Sequence, residues 1–406
     1  MRAAGAPLFA LALASCASAQ QADDVLVERA RRIHDAALTI DTHDDISGAF
    51  GTEAMNPCTR LERQVDLVKM KEGGLDVAFF IVYTGQGPRT PEGHAAALEE
   101  ALARFQAIRN VPALCPDQVE LAHSAADVER IVASGKRAIA IGIENGYPLG
   151  RDVALVRRFH ELGGRYLSLT HIGHNDLGDS SNPGEGEPFS EHGGLSELGR
   201  QVVAELNRVG MMIDVSHTGK QTMLQATRLS RAPVIASHSS ARAVNDNLRN
   251  LDDEQLDAIR ENGGVVQTVA FAGYVKNDPP EKTAALAELR EELGITRGAR
   301  ALTPEQRAEY LRRRAALEER WPRATLAEFV DHIDYMVQRI GIDHVGISSD
   351  FDGGGGVTGW NDAAETFNVT LELVRRGYSE TDIRKLWGGN LLRVWRAVER
   401  VAEETR

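Results

Sequence analysis

The chain has 406 residues, 42% of them hydrophobic, 26% charged and 5% aromatic, a composition that can fill a large core and excludes a disordered or fibrous protein. Its 59 acidic against 46 basic side chains give a formal charge of −13, and with no basic block a nucleic-acid partner is not expected. The length allows one large domain or two ordinary ones.

At the N-terminus, Arg2 precedes an apolar run from Pro7 to Ala14, and small residues follow from Ser15 to Ala19. That order reads residues 1–19 as an export signal, too short to cross a bilayer as a helix. Ala17-Ser18-Ala19 suits cleavage after Ala19, whereas Leu13-Ala14-Ser15-Cys16 resembles a bacterial lipobox that would leave Cys16 carrying a lipid anchor. Export to the periplasm or the exterior is expected, with soluble and membrane-anchored forms both open. Cys58 and Cys115 then remain; an oxidising compartment would let them pair if their geometry allows it. Three cysteines so scattered make no thiolate metal site.

Residues 20–406 read as a single α/β domain. Short apolar, β-branched runs predict strands at Ala37–His43, Asp76–Tyr83, Arg137–Glu144, Arg165–His171, Met211–His217, Pro233–His238, Gly263–Phe271 and His344–Asp350. Continuous runs such as Ala138-Ile139-Ala140-Ile141 suit strands buried on both faces, as in parallel sheets. The spacers are long enough for crossover helices; the one from Leu195 to Leu206 has helical periodicity and stops at Gly210, where glycine commonly ends a helix. Eight such units predict a (β/α)8 TIM-type barrel, with length to spare. The spare length falls mainly at 276–322, a charged helical insertion between the seventh and eighth strands, read as an excursion or an oligomer contact. Within it Leu286, Leu289 and Leu293 keep helical spacing, and Thr303-Pro304-Glu305-Gln306 reads as a capping box,. A second box at Thr325–Glu328 opens a helix with Phe329, Ile333, Met336 and Ile340 on one face,.

Polar residues gather where these strands finish. His43 and Asp45 follow the first, Glu144 ends the third, His171, His217 and His238 end the fourth to sixth, and Asp350 ends the eighth. In a barrel those ends share one rim, the rim on which active sites are built. One histidine after a strand is usually structural, but four with three carboxylates at equivalent positions point to a hydrolytic metal centre. Imidazole nitrogen and carboxylate oxygen suit Zn²⁺. His43 and Asp45, two apart in an extended segment, face the same way. Glu144 has two oxygens with which to bridge two ions, and His217 and His238 would complete the second ion's shell. His344 starts the eighth strand, on the opposite rim, and reads as structural; His34 and His332 sit in helical stretches as surface or packing residues. His94, His123 and His160 have no partner pattern. From the long loop holding His174 and His192, one histidine could reach the pocket. Asp352 reads as a turn or supporting residue although Asp350-x-Asp352 could also hold metal. Gly353–Gly356 reads as a rim turn, since no Gly-Lys-Ser/Thr follows.

Ordered motifs extend this reading: Ile40-Asp41-Thr42-His43-Asp44-Asp45, Gly142-Ile143-Glu144-Asn145-Gly146, Leu167-Ser168-Leu169-Thr170-His171, Ile213-Asp214-Val215-Ser216-His217, Pro233 to Ala241, Arg249-Asn250 and His344 to Gly353. From about Ala36 to Ala402 the chain resembles the membrane (renal) dipeptidases, peptidase family M19, among the amidohydrolase-like barrels. The resemblance implies a zinc-dependent dipeptidase in which water between two Zn²⁺ ions attacks a dipeptide. His43 and Asp45 would hold one ion, His217 and His238 the other, and Glu144 both. It implies that His171 contacts the substrate and offsets charge on the tetrahedral intermediate, and that Arg249 binds the dipeptide carboxylate. Asp350 would shuttle the proton and Tyr274 would touch the substrate. A homodimer is implied as well. Apart from the resemblance, Asp246, Asn247 and Asn250 read as residues that shape the loop delivering Arg249. The insertion and the cysteine usage depart from the mammalian pattern, which leaves substrate preference and a disulfide-linked dimer open. Two other readings remain: an amidohydrolase acting on N-acyl amino acids, cyclic amides or lactones, and a metal-binding protein without catalysis.

Overall fold

The apolar runs form parallel strands covered on both faces. The structure is a computed structural model that describes residues 23–295 and 304–405; the leader with Cys16, and Thr303 of the first capping box, lie outside the described residues. The strands are β1 (Ile40–Asp45), β2 (Val77–Tyr83), β3 (Val119–Leu121), β4 (Arg137–Glu144), β5 (Gly164–Ser168), β6 (Met212–Asp214), β7 (Ile235–Ala236), β8 (Val265–Val269) and β9 (Val345–Ser348). All pair in parallel in the order β1-β2-β4-β5-β6-β7-β8-β9. The ends of that row meet where Asp44 bridges Phe351 and the Asp45 N–H donates to the Phe351 carbonyl at 2.8 Å. The result is a nearly closed eight-stranded barrel, as the pattern predicts.

Alternation along each strand explains the continuous apolar runs. Val77, Phe79 and Ile81 pack with Ile40, Ala138, Ala140, Met212, Ile235 and Val265 in one cluster, together with Leu391 and Trp395 of the helix Asn390–Glu404. The intervening Ala78, Phe80 and Val82 join Ile139, Ile141 and Ile143 in the second cluster, against the outer helices. Side chains on a strand point alternately to its two faces, so every residue of β2 needs to be apolar.

The strands differ from expectation mainly at their ends. β1 starts three residues late, because Thr39 turns its hydroxyl to the Gly74 carbonyl, and it runs on to Asp45, slipping register against β2 between Asp41 and Asp44. β5, β6 and β9 stop two or three residues early, so His171, His217 and Asp350 lie just past the strands rather than on their last residues. β3, which the sequence pattern does not single out, pairs Leu121 with Ile139 on the edge of β4 that β5 takes over from Ile141. Three residues carry too little periodicity to be recognised.

Helix signals fare well. Ser196 caps the helix Glu197–Val209, and Gly210 ends it at φ 84°. The Thr325–Glu328 capping box makes both reciprocal bonds, and Phe329, Ile333, Met336 and Ile340 are buried. The insertion between β8 and β9 forms the helices Pro280–Glu292 and Pro304–Arg320. Cys58 and Cys115 form a disulfide with Cα atoms 5.8 Å apart.

Candidate metal centre

The chain leaves its strands at the rim in unusual backbone states. Asn145, His217, Asp350 and Asp352 have φ of 78°, 65°, 59° and 62°. A non-glycine residue in this left-handed region costs about 1–3 kcal/mol. All four lie at the exits of β4, β6 and β9, so the strain is concentrated where polar side chains turn inward. Gly353 must be glycine, because a Cβ there would stand 2.2 Å from Asp350 Oδ1 and 2.3 Å from Asp45 Oδ2. The glycine run is therefore a rim turn packed on two acids, as read.

Glu144 is the hub. Its Oε1 lies 3.0 Å from His217 Nε2, 3.4 Å from His238 Nε2, 3.5 Å from His43 Nε2 and 3.7 Å from His171 Nε2. His43 Nε2 is 3.6 Å from Asp45 Oδ2, and the Nε2 atoms of His217 and His238 are 2.8 Å apart. Donor atoms come within 4.8 Å of one another in three overlapping sets: His43, Glu144 and His238; Glu144, His171 and His217; and His43, Asp45 and Asp350. All five sequence-derived ligands and both proposed catalytic groups thus meet in one cluster, with His171 only slightly farther from Glu144 than His43, His217 and His238. The sets divide the donors differently from the pairing His43–Asp45 against His217–His238.

The electrostatics favour a cation here. Burial would raise the Glu144 carboxyl, but the surrounding His171, His43, His217 and His238 hold it well below the usual carboxylate range. Burial pushes His217 and His238 well below the ordinary histidine value, helped at His217 by Arg249 and His171 and at His238 by His43 and Arg249. Both imidazoles are therefore neutral, with a lone pair to give. At His43 burial acts downward too, yet Glu144 and Asp45 outweigh it and hold the ring well above its usual value; the carboxylates call for positive charge there, from a proton or a metal. His43 Nε2 is buried with no hydrogen-bond partner. Neutral imidazoles, carboxylates and an orphaned ring nitrogen fit a Zn²⁺ donor set. Asp350 is pushed well up, chiefly by burial, with His43 opposing and Asp45 and Glu144 reinforcing.

The loop that carries Arg249 is held by asparagines. The Arg249 N–H donates to Asn247 Oδ1 at 3.0 Å, Asn247 Nδ2 donates to the Gly273 carbonyl, and Asn250 Nδ2 donates to the Tyr274 carbonyl at 2.8 Å. The loop carrying Arg249 is thereby tied to Tyr274, whose ring centroid is 5.1 Å from the guanidinium carbon. Asp246 instead pairs with Arg242 on the surface. Arg249 is 4% exposed and its Nε has no partner; among the described residues no carboxylate lies within ion-pair distance of it.

A cavity of about 490 Å³ opens over this cluster, lined by Asp45, Glu144, His171, His217, His238, Tyr274 and Asp350. Asp352 also lines it, but its carboxylate is taken up by Arg63 at 3.3 Å and the Gln64 N–H, which makes it a turn residue. Neither His174 nor His192, one of which could have reached the pocket, lines it. His174 is fully buried between the Ser180 N–H and the Pro188 carbonyl, and His192 bonds the Asn175 carbonyl; both brace the loop. His34 and His332 are packing residues, bonded to Gly73 and Thr370 and to Val275 and Ala241. His344 bonds the Gly264 carbonyl. Sequence reasoning missed Arg63, Tyr83, Arg104 and Phe271, which line the same cavity. Tyr83 ends β2 and meets His171 edge-on with ring centroids 4.9 Å apart, so the strand-end rule applied to β2 finds it. Nothing in the local sequence marks the two arginines.

Comparison with known proteins agrees with the ordered motifs. The model of the membrane dipeptidase family, peptidase family M19, matches residues 27–406. The chain is similar to dipeptidase tcpJ of Claviceps purpurea, 33% identical over 355 residues that cover 86% of this chain and 73% of the relative. It is similar to rat dipeptidase 3, 31% identical over 84% of this chain and 60% of that protein. Among solved structures, the probable dipeptidase PvdM of Pseudomonas aeruginosa superposes with a TM-score of 0.82 at 36% identity, covering 93% of this chain and 100% of PvdM.

Proposed function

The chain belongs to the membrane dipeptidase family, peptidase family M19, and on that premise we propose that it hydrolyses dipeptides with two zinc ions held in the cluster around Glu144. The observation that carries this reading is the convergence of His43, His171, His217 and His238 within 3.7 Å of one Glu144 oxygen.

His43, Asp45, Glu144, His217 and His238 would hold the ions, which when bound supply Lewis acidity and an activated water. Arg249 presents a planar fork to the substrate carboxylate, and its buried, unpartnered Nε supports that role. Tyr274 closes the same subsite and orients the chain beside Arg249. Asp350, in reach of His43 and Asp45, would take a proton from the attacking water at a carboxylate oxygen and return it to the leaving amine. His171 faces the cavity across Glu144 and would offer a donor to the oxygen on which charge develops.

Export and a homodimeric state belong to the same proposal. The Cys58–Cys115 pair supports an oxidising compartment,, and the intact mass of the mature chain would distinguish cleavage after Ala19 from lipidation of Cys16. The function is tested by stripping the protein with a chelator and assaying L,L, L,D and D,D dipeptides beside N-acyl amino acids. Loss of dipeptide hydrolysis on stripping and recovery with Zn²⁺ is expected. Full turnover by stripped protein would overturn the metal role, and turnover of N-acyl amino acids alone would move the activity to that class.

A further inference from the structure

Two of the metal-facing imidazoles have their other ring nitrogen held by a buried hydroxyl. His43 Nδ1 is 3.0 Å from Tyr166 Oη, whose proton goes to the Thr42 carbonyl at 2.9 Å. Tyr166 Oη therefore accepts, and His43 carries its proton on Nδ1. Across the barrel, His238 Nδ1 is 2.8 Å from Ser237 Oγ, whose proton goes to Asp214 Oδ2 at 2.7 Å. Asp214 is itself fixed by the Ser216 and Ser237 N–H groups at 3.0 and 2.8 Å and by the Ser168 hydroxyl. In both cases the fixed proton sits on Nδ1, so Nε2, the nitrogen that faces Glu144, is the one left to bind a metal. Tyr166, Asp214 and Ser237 are fully buried.

The fold gives up side-chain volume to keep the Tyr166 contact. Tyr166 lies on β5 and pairs with Gly142 on β4. A Cβ on Gly142 would stand 2.1 Å from Tyr166 Cζ and 2.4 Å from its Oη. The glycine lets the phenol cross the barrel interior to reach a histidine on β1.

Resting on the metal-centre reading above, we propose that Tyr166, and Ser237 backed by Asp214, are positioning residues that fix the tautomer and ring orientation of His43 and His238. Partners of this kind typically contribute 10–100-fold to metal affinity. Each acts on a different imidazole, so each has its own variant.

The test compares wild type with Tyr166→Phe, Ser237→Ala and Ser237→Thr as metal-stripped proteins. Each is titrated with Zn²⁺ against a chromophoric chelator and, separately, loaded with Co²⁺ for its visible spectrum. Long-range ¹⁵N–¹H spectra of the stripped proteins report the imidazole tautomers. Tyr166→Phe and Ser237→Ala should each bind one zinc about 10–100-fold more weakly, alter the Co²⁺ bands and mix the tautomer of one histidine. Ser237→Thr, which keeps the hydroxyl, should restore the wild-type values. Should one deletion unfold, the other still decides. Wild-type affinity, Co²⁺ spectrum and tautomers in the deletions would overturn the positioning roles and leave the metal centre standing. A wild type that binds neither Zn²⁺ nor Co²⁺ would overturn the metal centre and this inference with it.

Discussion

Arg249 is a buried cation whose Nε has no partner, and such a group is stabilised most by a ligand that completes its hydrogen bonds. Arg249→Lys keeps the charge and loses the fork. Steady-state kinetics on a dipeptide should show KM raised about 10–100-fold, or roughly 1.4–2.7 kcal/mol of lost binding, with metal content unchanged. Asp350→Asn removes the proposed proton acceptor without changing its size. Its kcat should fall by about 10²–10⁴ while zinc stoichiometry holds, and an equal fall in both would instead make Asp350 a ligand. The left-handed φ of His217 and Asp350 shows why these residues stand out in the structure: strain is tolerated where a side chain must leave the strand direction to reach the site.

Loops and strands around the centre carry their own linkages. The segment between β5 and β6 folds over Asp179, which accepts from the N–H groups of Glu191, His192 and Gly194 and from the Ser190 hydroxyl. Burial acts to raise this carboxyl, but Ser190 and those backbone donors bring it down to about 2. A folded value depressed below the unfolded one, about 3.9, means stability that is complete above that value and is lost as pH falls from about 4 towards 2. Asp179→Asn should therefore be less stable by about 2–3 kcal/mol near neutrality and lose less between pH 4 and 2, as thermal melts across pH would show. At the β4–β5 contact, Gly142→Ala forces a methyl into the Tyr166 ring. Overpacking of this kind costs about 1–3 kcal/mol, measurable by denaturant unfolding, and the displaced phenol should also weaken zinc binding.

At the scale of the molecule, the disulfide joins residues 57 apart. It ties the loop after β1, which carries Arg63 into the cavity, to Cys115 at the end of the helix Pro91–Leu114. Constraining a loop of that length in the unfolded chain contributes about 4 kcal/mol on an entropic account. Reduction, or Cys58→Ser with Cys115→Ser, should lower the melting temperature while leaving zinc stoichiometry at its wild-type value.

The barrel and the identity of its polar rim were legible in the chain because both depend on local order. Buried parallel strands must be apolar along their whole length, as Val77–Val82 are, and a barrel puts every strand exit on one rim, so His43, Glu144, His171, His217, His238 and Asp350 could be recognised by position alone. Tertiary structure alone decided the remainder. The crossing of Tyr166 over Gly142 to His43, the arrival of Arg63 and Arg104 at the cavity, the withdrawal of His174 and His192 into their loop, and the pairing of Cys58 with Cys115 all join residues far apart in the chain. Such contacts are set by side-chain packing and hydrogen bonding between elements, which leave no periodic trace in either partner's own neighbourhood.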